Sequence, residues 1–157
     1  MPHLKAKDVM TREVKTVTPQ ATLREAAELL ATQGISGAPV VNETGRVVGV
    51  ISESDILDSK KRYKALPRMA LWGLRPIPED FLREAYQEGL SLQVESLMSR
   101  NVITAEEETP LEELAHLMVS HRINRVPILR EGKLVGIVTR EDALRGLLAS
   151  SSDKPPA

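Results

Sequence analysis

Gly136-Ile137-Val138-Thr139-Arg140-Glu141-Asp142 reads as a buried strand, then a hydroxyl residue, then a helix start that carries an acid. An earlier stretch, Gly49-Val50-Ile51-Ser52-Glu53-Ser54-Asp55, repeats the pattern. Ser/Thr-x-x-Asp is close to a capping box, in which hydroxyl and carboxylate satisfy backbone N–H groups of the first helical turn. The same parts suit a nucleotide. A helix N-terminus attracts phosphate, and a carboxylate can accept from both hydroxyls of a ribose diol. Both readings are open at this point.

The two stretches belong to an internal repeat. Val9-Met10 matches Leu97-Met98, Thr16 matches Thr104, Leu23 matches Leu111 and Pro39 matches Pro127, all at an offset of 88. Gly45 and Gly132, Gly49 and Gly136, and Asp55 and Asp142 match at 87. One deletion at a turn, Glu43-Thr44-Gly45 against Glu131-Gly132, accounts for the change.

Each repeat predicts the order β-α-β-β-α. A short extended piece (Val14 to Val17, Val102 to Thr104) precedes an amphipathic helix. Leu23, Ala26, Ala27 and Leu30 sit at i, i+3, i+4 and i+7, and Leu111, Leu114, Ala115 and Met118 keep that spacing. Thr22 with Glu25, and Thr109 with Glu112 and Pro110 at the first helical position, read as capping boxes. Gly34 suits a left-handed helix end, where the second repeat has Arg122. Hairpins follow, Ala38 to Asn42 with Arg46 to Ile51 and Val126 to Arg130 with Lys133 to Val138, then a closing helix from about Ser54 and from Glu141 to about Leu148. One such unit is too short to bury its apolar face alone. Two copies packed sheet to sheet share a core and form a pseudo-twofold cleft, so the expected class is α+β.

The expected boundaries are repeat one over 1–57, an insert over 58–93, repeat two over 94–149 and a disordered tail over 150–157. The insert is basic from Lys60 to Arg75, with Met69, Leu71, Trp72 and Leu74 among its charges, and predicts a helix from Pro78 to Tyr86 with acids in its first turn. It reads as a solvated linker or as a contact surface for a partner, a second subunit or the phosphates of a bound nucleotide.

Composition narrows the function. The 157 residues carry a net charge of −1 and no cysteine, which excludes disulfides and thiolate chemistry. No apolar run reaches the roughly 18–20 residues of a membrane span and no signal-type segment opens the chain, so cytoplasmic residence is the default expectation. No recognisable nucleic-acid module occurs. His116 and His121 are five apart, off the spacing that puts two metal ligands on one helix face. No metal site and no catalytic set is expected. Glu106-Glu107-Glu108 reads as a solvated run before a helix.

The chain resembles a tandem pair of cystathionine β-synthase (CBS) domains, a Bateman module. The resemblance rests on Val9-Met10-Thr11 and Leu97-Met98-Ser99, on Ile35-x-x-x-Pro39-Val40 and Ile123-x-x-x-Pro127-Ile128, and on the two Gly-h-h-Ser/Thr-x-x-Asp ends. It covers both repeats and leaves out the insert. It implies a regulatory module that binds an adenosine compound (AMP, ADP, ATP or S-adenosylmethionine) in the inter-repeat cleft, needs no cofactor, catalyses nothing, pairs into a homodimer and acts on a separate effector protein. It also implies roles. Asp142 and Asp55 become the ribose acids, and Thr139 and Ser52 the phosphate hydroxyls. The backbone of Thr104-Ala105 and Thr16-Val17 meets the base, and Arg125-Val126-Pro127 and Gly37-Ala38-Pro39 line the pocket. With no aromatic in either repeat, an adenine would lie between aliphatic groups such as Val126, Ile137 and Ile123.

The two halves are unequal. Arg125 and Arg140, with His121 and Arg122 near, stand where the first repeat has Gly37, Glu53, Gln33 and Gly34. Phosphate needs cations, so the Asp142 half is expected to be the stronger site. The competing expectations are a ligand-free dimerisation or interaction module, in which Ser/Thr-x-x-Asp only caps helices, and a subunit working in trans with an enzyme.

Overall fold

A computed structural model describes residues 3–58 and 89–152, with the backbone alone at 151 and 152. The basic stretch, the helix expected from Pro78 to Tyr86 and the tail beyond Ser152 lie outside the described residues. Two compact units make up the rest. The first unit is built from Lys15–Glu43 and the described part of Val48–Asn101. The second is built from the described residues up to Val14, from Thr44–Val47 and from Val102 onward.

In the first unit, α2 (Leu23–Gln33) is followed by β1 (Gly37–Val41), β2 (Val47–Ser52, in this unit from Val48 on) and α3 (Glu53–Leu57). Leu23, Ala26 and Leu30 form the buried stripe of α2, as their spacing predicts. The Thr22 hydroxyl accepts from the Glu25 N–H, and Gly34 ends the helix at φ 63°, a conformation that costs glycine nothing. The extended piece before α2 meets the sheet at one residue, Val17, in parallel with Val40. The core joins Leu23, Ala26, Leu30, Ala38, Val40, Ile51 and Ile56 to Val94, Leu97 and Met98.

The second unit holds β3 (Ala105–Glu106), α4 (Leu111–Ser120), β4 (Arg125–Arg130), β5 (Lys133–Thr139) and α5 (Arg140–Ser152). The α5 helix runs beyond the expected end near Leu148 and takes in residues 150–152, which the sequence assigned to a disordered tail. In the sheet, β3 is parallel to β4 and β4 antiparallel to β5, in the order β3-β4-β5. The parallel strand forms at Ala105–Glu106 rather than at Val102 to Thr104. Leu111, Leu114, Met118, Val126, Ile128, Val138 and Ala143 form the core with Ala6 and Met10.

Two sequence readings need correction here. Thr109 does not cap α4. Its hydroxyl accepts from the Glu106 N–H, and Pro110 takes the cap position without a side-chain bond. The Glu106–Glu108 run is not simply solvated. Lys5 and Lys7 both donate to Glu108, and Arg130 holds Glu107 with two donors. Those bonds push the Glu108 carboxyl down to about 2 and lower that of Glu107.

The segment leading into each repeat packs in the unit of the other. Residues of the short helix α1 (Ala6–Val9) and Met10 lie in the second unit, and the 3-10 turn Val94–Ser96 with Leu97 and Met98 lies in the first. The contacts are reciprocal. The Leu4 carbonyl accepts from Leu111 N–H (2.9 Å) and the Leu92 carbonyl from Leu23 N–H (2.8 Å), satisfying the open donor at the start of each long helix. Thr11 pairs with Ile137 and Ser99 with Val50. Arg12 donates to the Lys7 carbonyl and Arg100 to the Glu95 carbonyl. A Cβ on Gly49 would lie 2.5 Å from Met98 Sδ, and one on Gly136 would overlap Met10 in the same manner. The glycine that opens each key stretch is therefore where the other repeat's methionine lies on the strand.

Candidate functional site: two strand-to-helix turns

Each unit carries one turn from its last strand into its closing helix. In the second, the Thr139 N–H donates to Asp142 Oδ2 (3.0 Å) and the Asp142 N–H donates to Thr139 Oγ1 (3.1 Å). The Asp142 side chain is 10% exposed, and its Oδ1 accepts from Arg145 Nη2 at 3.1 Å. In the first, the Ser52 N–H donates to Asp55 Oδ2 (2.9 Å) and the Asp55 N–H to Ser52 Oγ (3.2 Å). Asp55 is 8% exposed. Both motifs are complete capping boxes.

They differ in the hydroxyl proton. Ser52 Oγ donates to Asp55 Oδ2 at 3.0 Å, which commits that hydrogen within the cap. Thr139 Oγ1 accepts from Asp142, but its own hydrogen has no acceptor among the described residues. A half-buried hydroxyl with a donor to offer sits at the start of a 13-residue helix, where the dipole already favours an anion.

Register settles which neighbours share that face. Arg125 is the cross-strand partner of Thr139, and Pro127 that of Ile137. Side chains alternate across a strand, and Val126, Ile128 and Val138 are buried in the helix-side core. Arg125, Pro127, Ile137 and Thr139 therefore occupy the opposite face. This corrects one expectation: the side chain of Val126 points into the core with Ile123 packed against that core, so of the three aliphatic residues only Ile137 stands on the Thr139 face. Arg140 is anchored beside them. Its N–H donates to the Asn124 carbonyl (3.0 Å) and its Nε to the Ile123 carbonyl (3.1 Å). Arg125, Thr139, Arg140 and Asp142 are thus gathered in one unit.

In the first unit, Gly37, Ala38 and Pro39 are buried along β1, and the Glu53 N–H donates to the Ser36 carbonyl (2.9 Å). The entry strands offer less backbone than the sequence suggests. Val17 N–H donates to the Pro39 carbonyl and the Val17 carbonyl accepts from Val41 N–H, so both its groups are used by the sheet. Ala105 pairs with Ile128 as Val17 does with Val40. Thr16, exposed, and Thr104, half-buried, stand just outside the pairing. The sequence reading overlooked Arg145, although its i+3 spacing from Asp142 on a helix is the usual sign of an acid–base pair.

The CBS domain family model matches residues 6–62 and 94–149, and the chain belongs to this family. It is 33% identical over 156 residues to the Methanocaldococcus jannaschii protein MJ1426, covering 90% of each chain. Other relatives are longer: the chain spans 45% and 40% of two of them and 23% and 22% of two more. Among solved structures it is 29% identical to the CBS domain pair of protein MJ0100, in complex with 5′-methylthioadenosine and S-adenosyl-L-methionine (TM-score 0.69, covering 96% of this chain and 99% of that one). It is 25% identical to CBSX2 of Arabidopsis thaliana in complex with AMP (TM-score 0.71, 94% and 98%). Among the described residues, no helix is long and apolar enough to cross a membrane.

Proposed function

We propose that the chain is a regulatory module that binds an adenosine-containing ligand and does no chemistry of its own. The Thr139–Asp142 turn is the stronger site. The observation that carries this reading is the uncommitted Thr139 hydroxyl proton, across the strand pair from Arg125 and next in sequence to Arg140, at a helix start whose acid is half-buried and oriented. A phosphate there accepts from Thr139 and gains the charge of Arg125 and Arg140, while Asp142 accepts from the ribose diol. The adenosine compounds bound by MJ0100 and CBSX2 support the ligand class. AMP, ADP and ATP fit the cationic turn. The Ser52–Asp55 turn lacks both cations and suits a less anionic compound such as S-adenosylmethionine. Occupancy would act by favouring one arrangement of the chain, of a homodimer, or of an effector protein bound to it.

A second reading has its own observation: both capping boxes are complete without a ligand. The motif would then serve only the helices, in a protein-interaction module. Thermal unfolding with AMP, ADP, ATP and S-adenosylmethionine separates the two. Ligand at a hundredfold excess over Kd stabilises the folded state by about 2.7 kcal/mol. A rise in Tm with at least one of the four is expected, and a flat panel favours the second reading.

A further inference from the structure

Asp142 is held by a cation one turn along its own helix, Arg145. A carboxylate offers about four acceptor positions, two on each oxygen. In the second unit Oδ2 accepts one hydrogen, from the Thr139 N–H, and Oδ1 accepts one, from Arg145. Among the described residues that leaves one position on each oxygen, which is the pattern two vicinal hydroxyls require. In the first unit both positions of Asp55 Oδ2 are taken, by the N–H and the hydroxyl of Ser52. The residue aligned with Arg145 at the repeat offset of 87 is Asp58, an acid. A cation at that place is peculiar to one copy.

The geometry points to Arg145 as a positioning residue for ribose recognition. Held on Oδ1 from one helical turn below, the carboxylate cannot rotate about its last bond without losing either Arg145 or the Thr139 N–H. Its two remaining acceptor positions then face a diol together. Arg145 itself is 67% exposed and also lies 3.9 Å from Glu141, so it is not needed to hold the core. Its action passes through Asp142 and selects ribose over deoxyribose. The inference rests on the proposed nucleotide reading of the Thr139–Asp142 turn.

The test compares AMP with 2′-deoxy-AMP by calorimetric titration. An Asp55→Asn background isolates the second turn and keeps an oxygen for the Ser52 N–H. With Arg145 intact, AMP binds more tightly than the deoxy analogue. Arg145→Met lowers AMP affinity by about threefold, the scale of one exposed charged contact, and leaves the deoxy analogue unchanged, so the ratio between them shrinks. Arg145→Lys restores part of it. An equal loss for both ligands, no change in the ratio, or a gain in AMP affinity overturns the positioning role while leaving the nucleotide reading intact. Failure of the Asp55→Asn protein to bind AMP at all overturns the nucleotide reading and this inference with it.

Discussion

Ser52 and Thr139 perform the same local task with different consequences. Each accepts an N–H from the acid three residues on and so closes the first turn of its helix. Only Ser52 also donates to that acid. Replacing either by alanine removes a cap contact, at a cost of about 1 kcal/mol, and urea denaturation of the two variants is expected to show similar losses. Ligand binding is expected to separate them. Thr139→Ala removes a donor to phosphate and weakens AMP severalfold, whereas Ser52→Ala leaves AMP binding at the second turn unchanged. Equal effects on AMP would mean that the hydroxyl matters only as a cap. Arg122, at φ 53° where the first repeat has Gly34, is a second residue-level difference between the copies. A non-glycine residue there carries a penalty of roughly 1–2 kcal/mol.

At the scale of elements, the exchange of lead-in segments links the copies. Met10, encoded near the start of repeat one, is buried in the core that contains Leu111 and Val138. Met10→Ala is expected to cost about 2–5 kcal/mol and to raise hydrogen exchange in α4 and β5 rather than in α2. Faster exchange confined to α2 would contradict the exchanged arrangement. Lys5, Lys7 and Glu108 fasten this segment, and the first unit has Gln93, Glu95 and Gln20 in their places. The Glu108 carboxyl is lowered in the folded protein to about 2 from an ordinary 4.5. The bond therefore contributes fully above pH 4.5 and is lost as pH falls towards 2. Between those limits Tm is expected to fall more steeply in the parent protein than in Glu108→Gln. Parallel slopes would show that the contact is thermodynamically silent.

The order of elements was legible because the code is written twice. Period-3.6 stripes on α2 and α4 and period-2 hairpins recur at a fixed offset, so each copy checks the other. The exchange was not legible, because Val9-Met10-Thr11 and Leu97-Met98-Ser99 are near-equivalent and either could fit either glycine strand. The α4 cap lies one residue later than the Thr109-x-x-Glu112 pattern suggests: Pro110 takes the cap position, and the Thr109 hydroxyl accepts from the Glu106 N–H instead. For the site, Thr139, Asp142 and their first-repeat counterparts could be read from the motif. The proton of Ser52, the inward face of Val126 and the hold of Arg145 on Asp142 depend on register and rotamer, which spacing alone does not specify.

The whole molecule is a duplicated fold whose halves have diverged in charge around a shared turn. One half keeps Arg125, Arg140 and Arg145 with its acid, Asp142, and the other has Gly37, Glu53 and Asp58. Duplication supplies two turns, and we propose that this divergence makes one of them the better receptor for an anionic ligand. The most direct test is calorimetric titration of AMP into the parent protein, Asp142→Ala and Asp55→Ala, which lose equivalent caps. Saturable binding by the parent is expected, with a loss of about tenfold or more in Asp142→Ala, the scale of a hydrogen-bonded charge removed, and little change in Asp55→Ala. Unchanged AMP affinity in Asp142→Ala would contradict the proposal.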